Sequence, residues 1–245
     1  MSVTVEVCID NIDSLSRAIA GGANRIELCA SLVAGGLTAS AGYMKQAAKL
    51  SNVPVYAIIR PRQGDFYFSD NDIEIMLADI HQAKQAGLQG VVIGALNQDA
   101  TVNQSAVEEM MKTAGGMGVT FHRAIDQCSD LYNGLDFLMS QGVERVLTSG
   151  QAVNAVEGIP VLKKMVMYCG SRLSVMPGAG VSPENAAQII RETGAREIHL
   201  SGKTTRASKM LAIAGQASMG NVDDFAIPST CRGTIARTVA AVSEY

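Results

Sequence analysis

Two cysteines near the start of the chain could bind a soft metal ion. Cys8 lies near the end of one apolar run, and Cys29 closes the next one, Arg25-Ile26-Glu27-Leu28-Cys29. Thiolate ligands select Cu(I) or zinc over harder ions, so two sulfurs at the ends of adjacent strands could hold one ion. Buried free cysteine is also common as a small apolar residue that fills a core. The pattern, which has no Cys-x-x-Cys pair, leaves both roles open.

A second group combines residues that could hold an anion and move a proton. Arginine binds a carboxylate or phosphate through two parallel hydrogen bonds, and Glu27 or His122 could act as an acid or base. No Gly-x-Ser-x-Gly motif indicates a nucleophilic serine. The alternative is a ring of ion pairs that neutralises polar groups at the rim of the fold. The group consists of Glu27, Arg60, Arg62, His122, Arg123 and Asp126, of which Glu27, His122 and Arg60 are the candidate catalytic residues.

Two glycine-containing segments later in the chain could also bind an anion. They are Pro177-Gly178-Ala179-Gly180-Val181-Ser182 and Ser201-Gly202-Lys203. Glycines allow backbone N–H groups to turn toward an anion, and Lys203 adds a positive charge that a simple turn would not require. The alternative is that the glycines only make tight turns. The candidate anion-binding residues are therefore Arg62, Arg123, Gly178, Gly180, Ser201 and Lys203.

All of these residues lie at the ends of predicted strands. A glycine followed by a polar pair and an apolar run recurs along the chain, which indicates a repeat of helix end, tight loop and strand. Ser69 and Asn103 are predicted to cap helices, and Ser182 with Pro183 to begin another. The predicted strands span residues 3–9, 25–29, 55–60, 90–94, 119–122, 145–148, 173–176 and 197–200.

Strands that alternate with helices in this way predict a parallel (β/α)₈ barrel of the TIM type, in which sites lie at the carboxyl ends of the strands. The rival is an open doubly wound sheet, but the first βα turn, residues 10–13, lacks the glycine-rich dinucleotide motif. We expect a single domain over residues 1–245. Within it, residues 204–245 are expected to form a less regular C-terminal segment that ends in a helix at about 234–243.

The composition argues against several classes of function. The chain has 245 residues and a net charge of -3, so it lacks the broad basic field that non-specific nucleic-acid binding needs. No apolar run approaches the roughly 20 residues of a membrane span, and the first residues do not have the pattern of a secretory signal. Five cysteines, an odd number, favour reduced thiols in a cytoplasmic protein over a disulfide framework.

Six segments occur in order along the chain: Glu6-Val7-Cys8-Ile9-Asp10, Arg25-Ile26-Glu27-Leu28-Cys29, Ile59-Arg60-Pro61-Arg62-Gln63-Gly64-Asp65-Phe66, Thr120-Phe121-His122-Arg123-Ala124, Arg145-Val146-Leu147-Thr148-Ser149-Gly150 and Met176-Pro177-Gly178-Ala179-Gly180-Val181. Together they resemble the CutC family of copper homeostasis proteins, over about residues 3–202. The resemblance implies a cytoplasmic (β/α)₈ barrel, often an oligomer, with a role in copper tolerance or in Cu(I) binding through Cys8 and Cys29. Ala179 stands where the family more often has a third glycine.

Two functions of different classes follow. The first is a cytoplasmic copper homeostasis protein that binds Cu(I) weakly or transiently through Cys8 and Cys29. The second is an enzyme for a small anionic metabolite, such as a phosphorylated one, with Glu27 or His122 as acid or base. A barrel whose strand-end groups are only structural is the third interpretation. Polar sequence beyond the barrel, in residues 204–245, suggests a homo-oligomer, with a dimer favoured.

Overall fold

In a computed structural model of the protein, eight parallel strands alternate with helices. The structure describes residues 2–210 and 223–245. The strands are β1 (Thr4–Ile9), β2 (Arg25–Leu28), β3 (Val55–Ile58), β4 (Gly90–Ile93), β5 (Gly118–Phe121), β6 (Arg145–Thr148), β7 (Ser174–Pro177) and β8 (Glu197–Leu200). The helices are α1 (Ile12–Ala20), α2 (Ala41–Leu50), α3 (Asp70–Gln85), α4 (Gln104–Ala114), α5 (Leu131–Ser140), α6 (Ile159–Cys169), α7 (Ala186–Thr193) and α8 (Arg232–Val242).

The strands form one sheet that curls into a barrel. Their order in the sheet is β7-β6-β5-β4-β3-β2-β1-β8, and every hydrogen-bonded pair is parallel. Strands β7 and β8 lie side by side and close the ring. The prediction of a (β/α)₈ barrel is confirmed, and the open doubly wound sheet is wrong because β8 returns to β1 and meets β7.

Successive side chains of β1 point alternately to the two faces of the sheet. Val5, Val7 and Ile9 are fully buried and pack against the helices in the main hydrophobic core. Glu6 and Cys8 point the other way, into the barrel, because successive side chains of a strand lie on opposite faces. Polar residues on this strand are therefore directed to the interior of the barrel rather than to solvent.

Most predicted helix ends are where the sequence indicates them, with one exception. Ser69 caps α3 in a reciprocal capping box with Asp72, and Asn103 caps α4. The prediction that Ser182 and Pro183 begin α7 is wrong, because this helix starts at Ala186. The Asn185 side chain accepts a hydrogen bond from Ser182 N (2.8 Å) and donates one to Gly180 O (2.8 Å), which holds residues 182–185 in a turn.

The C-terminal segment is more regular than expected where it is described. Strands β9 (Lys203–Ala207) and β10 (Ala226–Thr230) form an antiparallel pair. The final helix begins two residues before the predicted 234, and its Ile235 is fully buried. A Cβ placed on Gly21 would lie only 2.7 Å from Cβ of Ile235, so α8 packs closely against the end of α1. Residues 211–222 of the predicted segment lie outside the described residues.

The role of this segment in forming an oligomer stays a prediction. Within the described ranges, no helix is long and apolar enough to cross a lipid bilayer.

Candidate functional site

A network of ion pairs occupies the interior of the barrel at the level of Glu6. Register pairs Glu6 with Arg25 on β2, and the Arg25 guanidinium bonds both Glu6 and Glu197. Arg145 bonds the same Glu197 at 3.2 Å. Both guanidinium groups also lie over the Tyr56 ring, with Arg25 and Arg145 at 5.5 and 5.0 Å from its centroid. Buried charges need such partners because desolvation is costly.

Above this network, three neighbouring strands bring together Cys8, Glu27 and His199. The register pairs Cys8 with Glu27 on β2 and Glu6 with His199 on β8. All three side chains are buried, and one ligand atom from each lies within 4.8 Å of the others. The distance from His199 Nε2 to Glu27 Oε2 is 3.7 Å. The sequence places His199 at a strand end but does not single it out as a site residue, since only closure of the barrel brings β8 beside β1.

Glu6 fixes the orientation of the His199 ring. His199 Nδ1 lies 2.8 Å from Glu6 Oε1. Burial would raise the pKa of Glu6, but the Arg25 charge and the hydrogen bond with His199 lower it to about 2. Burial would likewise lower the pKa of His199, but the acidic groups Cys8, Glu6 and Glu27 raise it well above its usual range. His199 therefore donates from Nδ1 to a carboxylate and turns Nε2 toward Glu27.

The two predicted metal ligands, Cys8 and Cys29, have different surroundings. Both are in one buried apolar cluster inside the barrel. Cys8 Sγ lies 3.7 Å from the carbonyl oxygen of Leu200, and Cys29 Sγ lies 3.5 Å from Glu27 Oε2. Burial raises the pKa of the Cys8 thiol, and burial with the Glu27 charge raises that of Cys29 well above its usual value. Cys29 thus contacts Glu27 but is not one of the three groups that converge with His199.

Burial also raises the pKa of Glu27, and the charge of His199 opposes this effect only in part. A carboxyl group with a raised pKa can give and take a proton nearer neutral pH than an exposed one. Glu27 is therefore placed to act as an acid or base.

A cavity of about 660 Å³ lies at the carboxyl ends of the strands. Its volume is in the range that small-molecule sites occupy. The predicted site residues Cys29, Arg62 and Gly178 are not among the residues that line it. Those that do line it are Cys8, Glu27, Arg60, His122, Arg123, Gly180, Ser201 and Lys203, together with His199.

Arg60 uses most of its guanidinium to hold loops at the cavity wall. Nη1 donates to the carbonyl oxygens of Ala34 (2.9 Å) and Gly36 (3.2 Å), and Nη2 donates to that of Gly64 (2.7 Å). The guanidinium also stacks at 5.2 Å from the ring centroid of Phe66. Arg60 Nε is buried and has no hydrogen-bond partner among the described residues. One N–H group of a buried cation is left unsatisfied.

His122 presents a second unsatisfied group. Its Nδ1 accepts the backbone N–H of Ala124 at 3.2 Å, and its ring packs 4.9 Å from the Phe66 ring. Burial and the Arg60 charge lower the pKa of His122 to about 3, so the ring is neutral with its proton on Nε2. That buried Nε2 makes no hydrogen bond within the described ranges. Buried polar groups without a partner are uncommon, and here two belong to residues that line one cavity.

Arg62, Arg123 and Asp126 are held by other contacts. Arg62 bonds Asp65 at 2.9 Å and stacks on Phe68, outside the cavity. Arg123 forms an ion pair with Asp126 at 2.8 Å. Asp126 also accepts the Thr148 hydroxyl at 2.5 Å, which ties the residues after β5 to the end of β6. These contacts fit the alternative in which rim charges neutralise one another.

The predicted anion loops line the cavity through residues 179–181 of the first loop and residues 201–203 of the second. A Cβ on Gly178 would lie 2.5 Å from Leu147 Cδ1, so the Leu147 side chain would have to shift to admit a larger residue there. Ala179 and Gly180 have φ values of 76° and 72°, in the left-handed region. Lys203 is exposed at the start of β9, and Ser201 is half-buried. Loop residues of the first segment and Ser201 and Lys203 of the second therefore form this side of the cavity.

Known proteins resemble this chain along most of its length. The CutC family profile matches residues 3–204. A CutC family protein of Photobacterium profundum is 57% identical over 244 residues, which are 99% of this chain and 100% of that protein. A Streptococcus agalactiae protein provisionally named copper homeostasis protein CutC is 32% identical, with a TM-score of 0.77 over 80% of this chain and 97% of that one. Thiamine phosphate pyrophosphorylase from Pyrococcus furiosus, 15% identical with a TM-score of 0.60 over 99% and 96% of the two chains, shares the fold alone.

Proposed function

The chain belongs to the CutC family, and from the geometry of its cavity we propose that it is an enzyme that acts on a small anionic metabolite. The observation that carries the proposal is the pair of unsatisfied N–H groups, Arg60 Nε and His122 Nε2. Both residues line the same cavity as Glu27. The anion would be held by these donors at one wall, and proton transfer would take place at Glu27.

Unsatisfied donors favour a ligand that brings acceptor oxygens. Leaving a buried N–H without a partner costs about 1–3 kcal/mol, and a phosphate or carboxylate that met both donors would remove that penalty at two sites. Both donor atoms are buried, so the two side chains would turn toward the cavity to meet the anion. Hydrogen bonds between charged partners are also stronger than neutral ones, which favours an anion beside the Arg60 guanidinium. Neutral His122 contributes a hydrogen-bond donor without a second positive charge. It therefore orients the bound anion but does not add to the long-range attraction of the anion to the site.

Glu27 and His199 provide the acid–base chemistry. The raised pKa of Glu27 suits a group that must exchange a proton with a bound substrate. His199 lies 3.7 Å from Glu27 and is held by Glu6, so its charge stabilises the carboxylate form after the proton has left. The role of His122 differs from the first expectation, because its low pKa makes it a hydrogen-bond donor rather than a base.

A second candidate function is Cu(I) binding, which the name of the Streptococcus relative suggests for that protein. The observation that favours it here is that Cys8 and Cys29 are free thiols within one buried cluster. Two soft sulfur ligands fit Cu(I), and the ion would replace both thiol protons. Free thiols persist in a reducing compartment, so we place the protein in the cytoplasm under either function.

Calorimetric titration with inorganic phosphate and a panel of phosphate monoesters and carboxylates tests the enzyme proposal. His122→Asn keeps an acceptor for Ala124 N–H but removes the Nε2 donor, so we expect affinity for the best ligand to fall about tenfold, the equivalent of one hydrogen bond. His81→Asn, at an exposed position of α3, is the control and should bind like the wild type. Equal affinity in all three proteins would contradict the proposal. Once a substrate is found, Glu27→Gln should bind it without turnover.

Competition for Cu(I) against a calibrated chelator tests the second candidate. The reduced wild type should bind one ion per chain tightly, and the Cys8→Ser/Cys29→Ser double variant should lose that binding. Weak binding shared by both proteins would remove the copper candidate and leave the anion site unaffected.

A further inference from the structure

We propose that Cys8 Sγ, a carboxylate oxygen of Glu27 and His199 Nε2 bind one divalent transition-metal ion, with zinc the best fit, at the floor of the cavity. Among residues 2–210 and 223–245, these three form the only set of at least three His, Cys, Asp or Glu side chains whose ligand atoms converge. The proposed ligands differ from the Cys8 and Cys29 pair because Cys29 is not part of the set.

The spacing of the three groups fits a tetrahedral ion. With metal–ligand bonds of about 2.0–2.3 Å, the ligand atoms of a tetrahedral zinc site lie about 3.3–3.8 Å apart. His199 Nε2 and Glu27 Oε2 are 3.7 Å apart, and all three ligand atoms are within 4.8 Å of one another. Small rotations of side chains would therefore complete the site without movement of the strands.

The residue behind His199 supports the same assignment. Histidine ligands usually donate their second ring N–H to a carboxylate, which sets the tautomer and the ring orientation. Glu6 Oε1 lies 2.8 Å from His199 Nδ1, and Arg25 in turn holds Glu6. Nε2 is thus the ring nitrogen left to face the other two ligands.

The mixture of donors decides which metal fits. One sulfur, one nitrogen and one oxygen suit borderline zinc, whereas Cu(I) prefers several soft sulfurs and magnesium or calcium prefer oxygen alone. Three protein ligands leave a fourth position for water or substrate, as in catalytic rather than structural zinc sites. All three residues line the cavity that Arg60 and His122 also line, so a ligand held at that position would share the cavity with them.

This inference deepens the proposed function. The metal site itself is argued from geometry, and only the role given to the ion rests on the proposed function. When the ion binds, the Cys8 thiol, His199 Nε2 and the Glu27 carboxyl, where it is protonated, would release their protons to solvent, and all three would become ligands. With the ion bound, water at the fourth position would replace Glu27 as the group that exchanges a proton with the substrate, so the acid–base role of Glu27 described above belongs to the metal-free protein. A metal-bound water loses a proton near neutral pH.

Titration of the reduced, metal-free protein with Co²⁺ and then Zn²⁺ tests the assignment. Co²⁺ bound to a thiolate gives a near-ultraviolet charge-transfer band, and Zn²⁺ should displace it at one ion per chain. We expect Cys8→Ser to lose the band, while Cys29→Ser, the matched control at the neighbouring thiol, retains it. Glu27→Gln and His199→Gln should lower zinc affinity at least tenfold, and circular dichroism verifies that each variant is folded.

Three results would overturn the inference. Absence of stoichiometric binding would show that the three groups do not hold an ion. Loss of the band in Cys29→Ser as well as Cys8→Ser would favour the two-thiol site, and its persistence in Cys8→Ser would show adventitious binding only. His122→Asn changes none of the three metal ligands. The cobalt spectrum therefore tests the metal site and anion binding tests the proposed function, and either one can fail without the other.

Discussion

Glu6 Oε1 lies 2.8 Å from His199 Nδ1, so one carboxylate joins the ion pairs in the interior of the barrel to the ring that faces the cavity. The same Glu6 carboxylate is bonded by Arg25, which also bonds Glu197. A change in the charge of Glu6 therefore affects both the stability of the barrel and the orientation of His199.

Removal of the Glu6 charge should destabilise the protein strongly. Glu6→Gln keeps the shape of the side chain but leaves Arg25 with Glu197 as its remaining acidic partner. Loss of one member of a buried pair costs about 3–5 kcal/mol, and here it leaves the Arg25 charge only partly compensated and His199 without its carboxylate partner. Urea unfolding at pH 7 measures the loss. Asp65→Asn breaks an ion pair with Arg62 that is largely exposed and should change stability little. A loss as small in Glu6→Gln would contradict the role assigned to the network.

His122 should make stability depend on pH in the acidic range. Burial lowers its pKa to about 3, whereas a histidine in the unfolded chain has a pKa of about 6.5. Below pH 6.5 the unfolded state therefore binds more protons, and stability present above pH 6.5 is lost as the pH falls toward 3. Between pH 7 and pH 5 the wild type should lose about 2 kcal/mol more than His122→Asn.

Urea unfolding of both proteins at the two pH values measures this difference, in which the other titrating groups cancel. His81→Asn, which changes an exposed imidazole, should follow the wild type. The same pH dependence in His122→Asn and the wild type would mean that His122 is not held neutral by burial.

Ala179 should be a site where glycine improves stability. Its φ of 76° is in the left-handed region, and its carbonyl oxygen accepts the N–H of Ala155 at 2.9 Å. A non-glycine residue is strained there by about 1–2 kcal/mol, and the greater freedom of glycine in the unfolded chain offsets part of the gain. We expect Ala179→Gly to raise stability by about 1 kcal/mol. The reverse change at the neighbouring position, Gly180→Ala, should lower it, since φ there is 72°.

Thermal unfolding of the two variants distinguishes this account from one in which the loop tolerates any small residue. In that case Ala179→Gly and Gly180→Ala would shift the midpoint in the same direction.

The contact between α8 and α1 should contribute to the stability of the barrel itself. Ile235 is fully buried and packs at Gly21, so Ile235→Ala should cost about 2–5 kcal/mol through lost burial and a cavity. Arg237→Ala, at an exposed position of the same helix, is the control and should have little effect. Equal stability of Ile235→Ala and the wild type would indicate that α8 is not part of the folded unit.

The sequence predicted the barrel well because its signals are local. A glycine, a polar pair and an apolar run mark the end of a helix and the start of the next strand, and Ser69 and Asn103 mark helix starts. Alternation along residues 3–9 is a signal of the same local kind, because it puts Glu6 and Cys8 on one face of β1. The start of α7 was missed because the Asn185 side chain bonds Ser182 N and Gly180 O, a contact that competes with helical geometry.

The site was harder to predict because its contacts join distant parts of the chain. His199 meets Glu6 and Glu27 only when β8 pairs with β1. Arg60 and Arg62 are almost adjacent in sequence, yet Arg60 lines the cavity while Arg62 is held by Asp65. Which of two nearby arginines faces a site depends on the path of the loop, and composition and spacing contain no such information.

Long-range ¹H–¹⁵N spectra of the protein with ¹⁵N-labelled histidine, recorded at pH 7 during a titration with phosphate, test the central claim most directly. We expect the His122 signals of a neutral ring with its proton on Nε2, and a shift of the Nε2 signal that saturates as phosphate binds. A charged ring, a proton on Nδ1, or an Nε2 signal that phosphate leaves unchanged while it binds elsewhere would contradict the proposal that Arg60 and His122 hold an anion in this cavity.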